Sequence, residues 1–232
     1  MITVRSAGER GRVDHGWLDA RHTFSFASYQ DPAHTRFRQL RVLNEDRVAP
    51  GQGFPRHGHR DMEILTYVVD GALAHEDSMG HRSTIHGGGF QRITAGRGIE
   101  HSEFNASDRD PVHLLQIWIF PEAKGAEPSY EESRGVHRET PDRLVLAASR
   151  GGRDGSLAWL QDVDLYAARL TPGAVVTHRF EEGRHGWLQA VSGDMTLNGV
   201  DLSAGDGAAI TGEPEAAIAA STDAELLLFD LT

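Results

Sequence analysis

Turn residues recur along this chain at matched spacings, and that recurrence limits the fold more than any composition figure does. Pro50-Gly51 precedes Gly71 by 20 residues, and Pro172-Gly173 precedes Gly193 by 20 as well. Further on, Gly89 precedes Gly96 by seven and Gly205 precedes Gly212 by seven, which sets GGGFQRITAG against SAGDGAAITG. Between these turns lie short apolar runs such as ILTYVV, LLQIWIF, WLQAV and ELLLFDL, each of strand length. No long amphipathic helix interrupts them, although PEAKGAEPSYEES has room for a turn or two. With 26 glycines and nine prolines in 232 residues, the pattern predicts an all-β fold. A single irregular β domain is the simpler alternative, but four matched turn positions argue for two copies of one unit. A unit this short has to curl over its own sheet face to bury it. Two tandem barrels of roughly 100 residues are therefore expected, divided as 1–125 and 126–232.

The chemistry is concentrated in the first copy. Side chains alternate along a strand, so His57 and His59 in FPRHGHRDMEILTYVVDG project to one side, as do His101 and Glu103 in RGIEHSEFN. A lone His-x-His is commonly no more than a solvated loop. Two such same-face pairs, with seven of the 13 histidines between His57 and His113, point instead to a metal site. Three imidazoles and a carboxylate suit a divalent first-row transition metal, and an octahedral ion so held keeps about two positions open. The chain has no cysteine, so any metal must be bound by nitrogen and oxygen. Carrying the repeat register into the second copy sets Arg179 and Glu181 opposite His57 and His59, and Ala217 and Ala219 opposite His101 and Glu103. The second site is expected to be degenerate. His178 and His185 lie nearby, and a one-residue slip in register would turn either into a remnant of it.

Charge excludes other classes. Lys plus Arg number 23 against 34 Asp plus Glu, a net charge of −11, which repels a nucleic-acid backbone or an anionic membrane on average. No apolar run approaches the roughly 20 residues of a membrane span, and the start resembles no signal peptide. A cytoplasmic protein without direct nucleic-acid or membrane contact is expected, and the lack of cysteine agrees with a reducing compartment.

The run G-x5-H-x-H-x3-E, here Gly51, His57, His59 and Glu63, resembles the first cupin motif, and Gly98, His101 and Asn105 resemble part of the second. Two departures stand out: the first motif is one residue longer than usual between Glu63 and Gly71, and Gly96 stands where proline is usual. Together with HTFSFASYQDP (22–32), LRVLNED (40–46), HGHRDMEILTYVVDG and TAGRGIEHSE (94–103), they resemble the pirin family, most closely its bacterial quercetin 2,3-dioxygenase-like branch. The likeness covers nearly the whole chain and is strongest over 14–120.

That resemblance implies a bicupin, two double-stranded β-helix (jelly-roll) barrels, with one metal in the N-terminal barrel. Fe(II) leads, and manganese, cobalt, nickel, copper and zinc are alternatives for such a donor set. It implies His57, His59, His101 and Glu103 as ligands, where a standard cupin would use Glu63. Glu63, counted as inward by strand parity, becomes a supporting or pairing carboxylate. The implied reaction is ring-opening oxygenation of a flavonol such as quercetin by O2, giving a depside and carbon monoxide, with Glu103 as proton acceptor. Phe24, Phe26, Phe54, Tyr67 and Trp118 are candidates for an aromatic slot, each with core packing as its ordinary role. Phe24 and Phe26 are expected to share a strand face with His22. The family also implies an alternative, an iron or redox sensor acting through contacts with a protein partner. A sugar-phosphate isomerase would need more basic groups near the metal than Arg56, Arg60, Arg92 and Arg97 supply, and ranks last.

Overall fold

The computed structural model describes residues 1–232, which form 22 β-strands and three short 3-10 turns. In chain order the first twelve strands are β1 (Ile2–Arg5), β2 (Gly11–Asp14), β3 (Leu18–His22), β4 (Leu40–Val48), β5 (Gly53–His59), β6 (Glu63–Asp70), β7 (Ala72–Asp77), β8 (Arg82–His86), β9 (Phe90–Thr94), β10 (Ile99–Asn105), β11 (Val112–Ile119) and β12 (Ser129–Ser133). The remaining ten are β13 (Val145–Arg150), β14 (Leu157–Trp159), β15 (Val163–Leu170), β16 (Val175–Arg179), β17 (His185–Ser192), β18 (Met195–Leu197), β19 (Val200–Leu202), β20 (Gly207–Thr211), β21 (Glu215–Ala220) and β22 (Ala224–Leu231). The fold is all-β, and PEAKGAEPSYEES contributes β12 rather than a helical turn.

The chain forms two compact units. One comprises Gly11–Arg134 and Leu157–Gln161; the other comprises Met1–Arg10, Gly135–Ser156 and Asp162–Thr232. Each has two antiparallel sheets in the same order. In the first unit they run β12-β9-β6-β11-β4-β3-β2 and β5-β10-β7-β8; in the second, β1-β20-β17-β22-β15-β13 and β16-β21-β18-β19. The matched turns fall at matched places. Gly71 and Gly193 have φ of +84° and +74°, and a Cβ on either would strike the backbone across the turn, Pro111 O at 2.9 Å or Asp223 O at 2.2 Å. Both the left-handed backbone and the close approach require glycine there.

This division departs from 1–125 and 126–232. The N-terminal strand does not enter the first barrel: β1 pairs with β20 from Ile2 opposite Ile210 to Arg5 opposite Gly207. The outer strand of a sheet leaves a row of unpaired N–H and C=O groups. At the corresponding edge of the first unit, β12 pairs with β9 and caps that row.

What distinguishes the first barrel is a polar band across its interior. On β6 the inward row reads Ile64, Thr66, Val68, with Ile64 in one apolar cluster and Val68 in another. Leu114, Gln116 and Trp118 on β11, and Ile99, His101, Glu103 and Asn105 on β10, continue the same sequence of environments. Asn44 and Asp46 on β4 complete it beside Val48. Burying so many polar groups is costly unless they bond to one another or to a ligand. The second barrel has no such band: Val176, Leu188, Met195, Ile210, Ile218 and Leu228 belong to one continuous aliphatic core.

The segment HTFSF does not continue as a strand. β3 ends at His22, Ser25 N–H bonds to His34 O at 2.7 Å, and Phe26 and Tyr29 pair backbone to backbone. Phe24 and Phe26 therefore do not share a sheet face, and Phe26 reaches inward from a loop instead.

Candidate metal centre

β5 and β10 pair antiparallel with His101 opposite His57 and Ile99 opposite His59, which brings three imidazoles onto one inward face. Their ring centroids are 4.7 Å (His57–His59), 4.5 Å (His57–His101) and 4.9 Å (His59–His101) apart. One ring nitrogen from each lies within 4.8 Å of the other two. Metal–nitrogen bonds of about 2.1 Å place ligand atoms roughly 3–4 Å apart, so a small closure of this cluster suffices for one ion.

Hydrogen bonding prepares the donors. His57 Nδ1 lies 2.8 Å from Pro55 O; a carbonyl only accepts, so Nδ1 carries the proton and Nε2 keeps its lone pair for the cluster. His101 is 1% exposed and neither ring nitrogen has a partner, an orphaned buried pair that a metal ion would satisfy. Burial, reinforced by His101 and His57, pushes the His59 imidazole down to about 4. Burial, reinforced by His57 and His75, pushes His101 down to about 3. Both are neutral at pH 7, as metal binding requires. The chemistry of the donor set and its unpartnered nitrogens fit a divalent transition metal.

Glu103 sits two residues beyond His101, after an irregularity in the β10–β5 register. Its carboxylate is held by three donors: Gln91 Nε2, Thr66 Oγ1 at 3.2 Å and Gln116 Nε2 at 3.0 Å. Its oxygen falls in a second group within 4.8 Å, formed with His101 and His75. The three histidines thus form one cluster, and Glu103 joins it through His101. His75 and Asp77 are both buried on β7 facing β10. ALAHED alternates, so Leu73, His75 and Asp77 share one face in the sequence, but only the pairing of β7 with β10 sets that row against His101 and Glu103.

Glu63 is a correction. It is buried at 1% exposure, but Ile64 and Thr66 are the β6 residues that face the cavity, so Glu63 points to the opposite face of the sheet. There it accepts a hydrogen bond from Thr94 Oγ1 at 2.8 Å, and burial raises it to about 7 against the opposing pull of Thr94 and Arg92. The strand parity that counts it as inward fails because Asp61, at φ +51°, breaks the extended backbone between β5 and β6.

The cluster lines a cavity of about 80 Å³. Phe26, Phe54, Ile64 and Trp118 form its apolar walls, and Asn44 and Asp46 add polar groups missed in the sequence. His59 packs edge-on to Trp118 at 5.0 Å, and Phe26 to Trp118 at 5.4 Å. Phe24 and Tyr67 do not contribute; Tyr67 stacks on Phe90 at 4.5 Å on the other face of the sheet. Burial, then the nearby charges of Glu103 and Glu45, raise Asp46 to about 7.

In the second barrel the equivalent strands are β16 and β21. Their inward residues are Val176, Ala216, Ile218 and Ala220 in the core, and His178, bonded through Nε2 to Asp230 at 2.7 Å. Arg179, Ala217 and Ala219, placed opposite His57, His101 and Glu103 by the repeat, lie one residue out of phase with that row. His178 follows Gly173 by five residues where His57 follows Gly51 by six, and its partner Ala216 follows Gly212 by four where His101 follows Gly96 by five; these are the slips responsible.

Residues 3–119 match the family model described as Pirin, and residues 146–231 match that of the Quercetinase C-terminal cupin domain. Over 231 residues, covering 100% of this chain and 99% of the relative, the sequence is 48% identical to Quercetin 2,3-dioxygenase of Escherichia coli (strain K12). It is 40% identical over 231 residues to a pirin-like protein of Caulobacter vibrioides, covering 99% of each chain. The crystal structure of the bacterial pirin YhhW in complex with nickel(II), from Escherichia coli, superposes with a TM-score of 0.95 at 47% identity, covering 100% of this chain and 99% of that one.

Proposed function

The chain belongs to the pirin family, and from that premise we propose that it is a metal-dependent dioxygenase that opens the heterocyclic ring of a flavonol such as quercetin with O2. The observation that carries this reading is the cluster of three imidazoles, beside a buried carboxylate, on the wall of an aromatic-lined cavity. His57, His59, His101 and Glu103 would hold the ion, with Fe(II) the first candidate and Ni(II) the ion named in the complex of the Escherichia coli relative. Such an ion supplies Lewis acidity toward the flavonol 3-hydroxyl and the redox chemistry that dioxygen requires.

The protein's own groups do the rest. Glu103, oriented by Gln91, Thr66 and Gln116, is the base within reach of a hydroxyl presented to the cluster, and accepts its proton. The cavity of about 80 Å³ falls well below the roughly 300–1,000 Å³ of sites that engulf a drug-sized ligand. Only the edge bearing the hydroxyl and carbonyl enters; the remaining rings rest at the mouth against Phe26 and Phe54. Phe26, on a loop rather than in a sheet, is the wall best able to adjust to them.

The test is oxygen uptake with quercetin by Fe(II)-loaded protein, with metal content measured after anaerobic purification. Wild type is expected to consume O2 in step with quercetin loss, and His57→Ala to lose at least about 100-fold. Equal uptake by both proteins would remove the assignment.

A further inference from the structure

A metal-binding imidazole donates its second ring N–H to an acceptor in nearly every known site, and that partner fixes the ring and tunes its basicity. His57 has such an acceptor in Pro55 O. His101 has none, although it is the most buried of the three.

The surroundings of His101 contain one acceptor free to serve. Glu103 is taken up by Gln91, Thr66 and Gln116. Asp77 accepts from the backbone N–H groups of Met79 at 2.8 Å and His81 at 3.1 Å, and from the His81 ring. His75 remains. Its side chain is fully buried, and its Nε2 lies 3.3 Å from Asp77 Oδ2. A carboxylate that receives two backbone N–H groups acts as an acceptor, so His75 carries its proton on Nε2. Nδ1 is then left with a lone pair, and it has no partner. The His75 and His101 rings are 5.6 Å apart, with ring nitrogens within 4.8 Å, a gap that one water spans or a small closure removes. Tyr130, stacked on His75 at 4.6 Å, holds the ring in plane.

We propose that His75, set in one tautomer by Asp77, accepts the outward ring N–H of His101 and thereby positions that ligand and sets its donor strength. This inference rests on the reading of His57, His59 and His101 as a metal centre. His75 is a positioning residue and need not touch substrate.

The test uses Co(II), whose visible absorption reports ligand geometry without turnover. Full-length wild type, His75→Phe, His75→Asn and Asp77→Asn are titrated after apo melting confirms folding. His75→Phe keeps the stacking surface but has no acceptor, and its Co(II) affinity is expected to fall about 10- to 100-fold with a shifted spectrum. His75→Asn places an amide oxygen near the position of Nδ1 and is expected to recover much of both. Asp77→Asn presents an N–H donor toward His75 Nε2, forces the proton onto Nδ1, and is expected to weaken binding as His75→Phe does. Wild-type affinity and spectrum in folded His75→Phe, or in Asp77→Asn should His75→Phe not fold, overturn the proposal. Complete loss of binding in all His75 variants, Asn included, overturns it too, because His75 would then be a ligand. If wild type binds no Co(II) beyond the His57→Ala control, the metal-centre reading falls, and this inference with it.

Discussion

His59 and His101 are already in the protonation state that a metal needs. Burial holds them at about 4 and about 3, below the 6.5 of a free imidazole. As pH falls below 6.5 the unfolded chain takes up these protons first, so stability present above 6.5 is lost progressively toward pH 4 and then 3. The apo protein is expected to melt at nearly constant temperature from pH 8 to 7 as far as these groups are concerned, and at falling temperature below 6; calorimetry of apo and Co(II)-loaded protein reads the difference. Glu103 carries the second prediction at this scale. Glu103→Gln keeps an oxygen for the metal but points an amide N–H₂ at the donor from either Gln91 or Gln116. It is expected to retain part of the metal and lose about 100- to 10,000-fold in turnover. Elemental analysis alongside the oxygen electrode separates the two effects. His57 with His59 and His101 with Glu103 were legible in the sequence as same-face pairs because each pair lies within a single strand, where alternation alone fixes the face. Gln91, Thr66, Gln116 and His75 were not, because what identifies them is their neighbour on another strand.

Strand pairing, and the turns that reset its parity, govern the next scale. Gly53 on β5 lies where a Cβ would sit 2.2 Å from Glu103 O and 2.5 Å from Phe104 Cα. Gly53→Ala must push β5 from β10 at Phe104, four residues before His57 on the strand that carries it against His101. A cost of about 1–3 kcal/mol in denaturant unfolding is expected, with weaker Co(II) binding. Glu63 gives a test free of the metal. Its folded value of about 7 lies above the ordinary 4.5, so its contribution is fully present below 4.5 and lost as pH rises through 7. Glu63→Gln has no such loss. Its stability relative to wild type is expected to improve from pH 4.5 to 8 by up to roughly 3 kcal/mol, read from urea midpoints at several pH values. The misplacement of Glu63 and of the second barrel's inward row has one cause: alternation holds within a strand and fails across a turn, at Asp61 in the first barrel and after Gly173 and Gly212 in the second.

Across the whole chain, the first strand serves the unit formed by the last part of the sequence. Ile2 and Val4 pack against the aliphatic core of the second barrel, and β1 covers the outer edge of β20. Deleting residues 1–6 is expected to lower the melting temperature of that unit and promote association through the bared edge, while leaving the Co(II) spectrum of the first barrel unchanged. Light scattering and the Co(II) spectrum check the two halves of that statement. No helix is long and apolar enough to cross a membrane.

Local rules account for what the sequence determined alone: the strands from alternation, the two-fold repeat from glycines that only a left-handed turn or a close backbone approach accommodates, and the three histidines and one glutamate from same-face spacing. The tertiary structure decided which strand capped which edge, the direction in which Glu63 faces, and the identity of the groups around His101. Those outcomes depend on contacts between residues far apart in the chain, and a period of two carries no information past the turn at which it is broken.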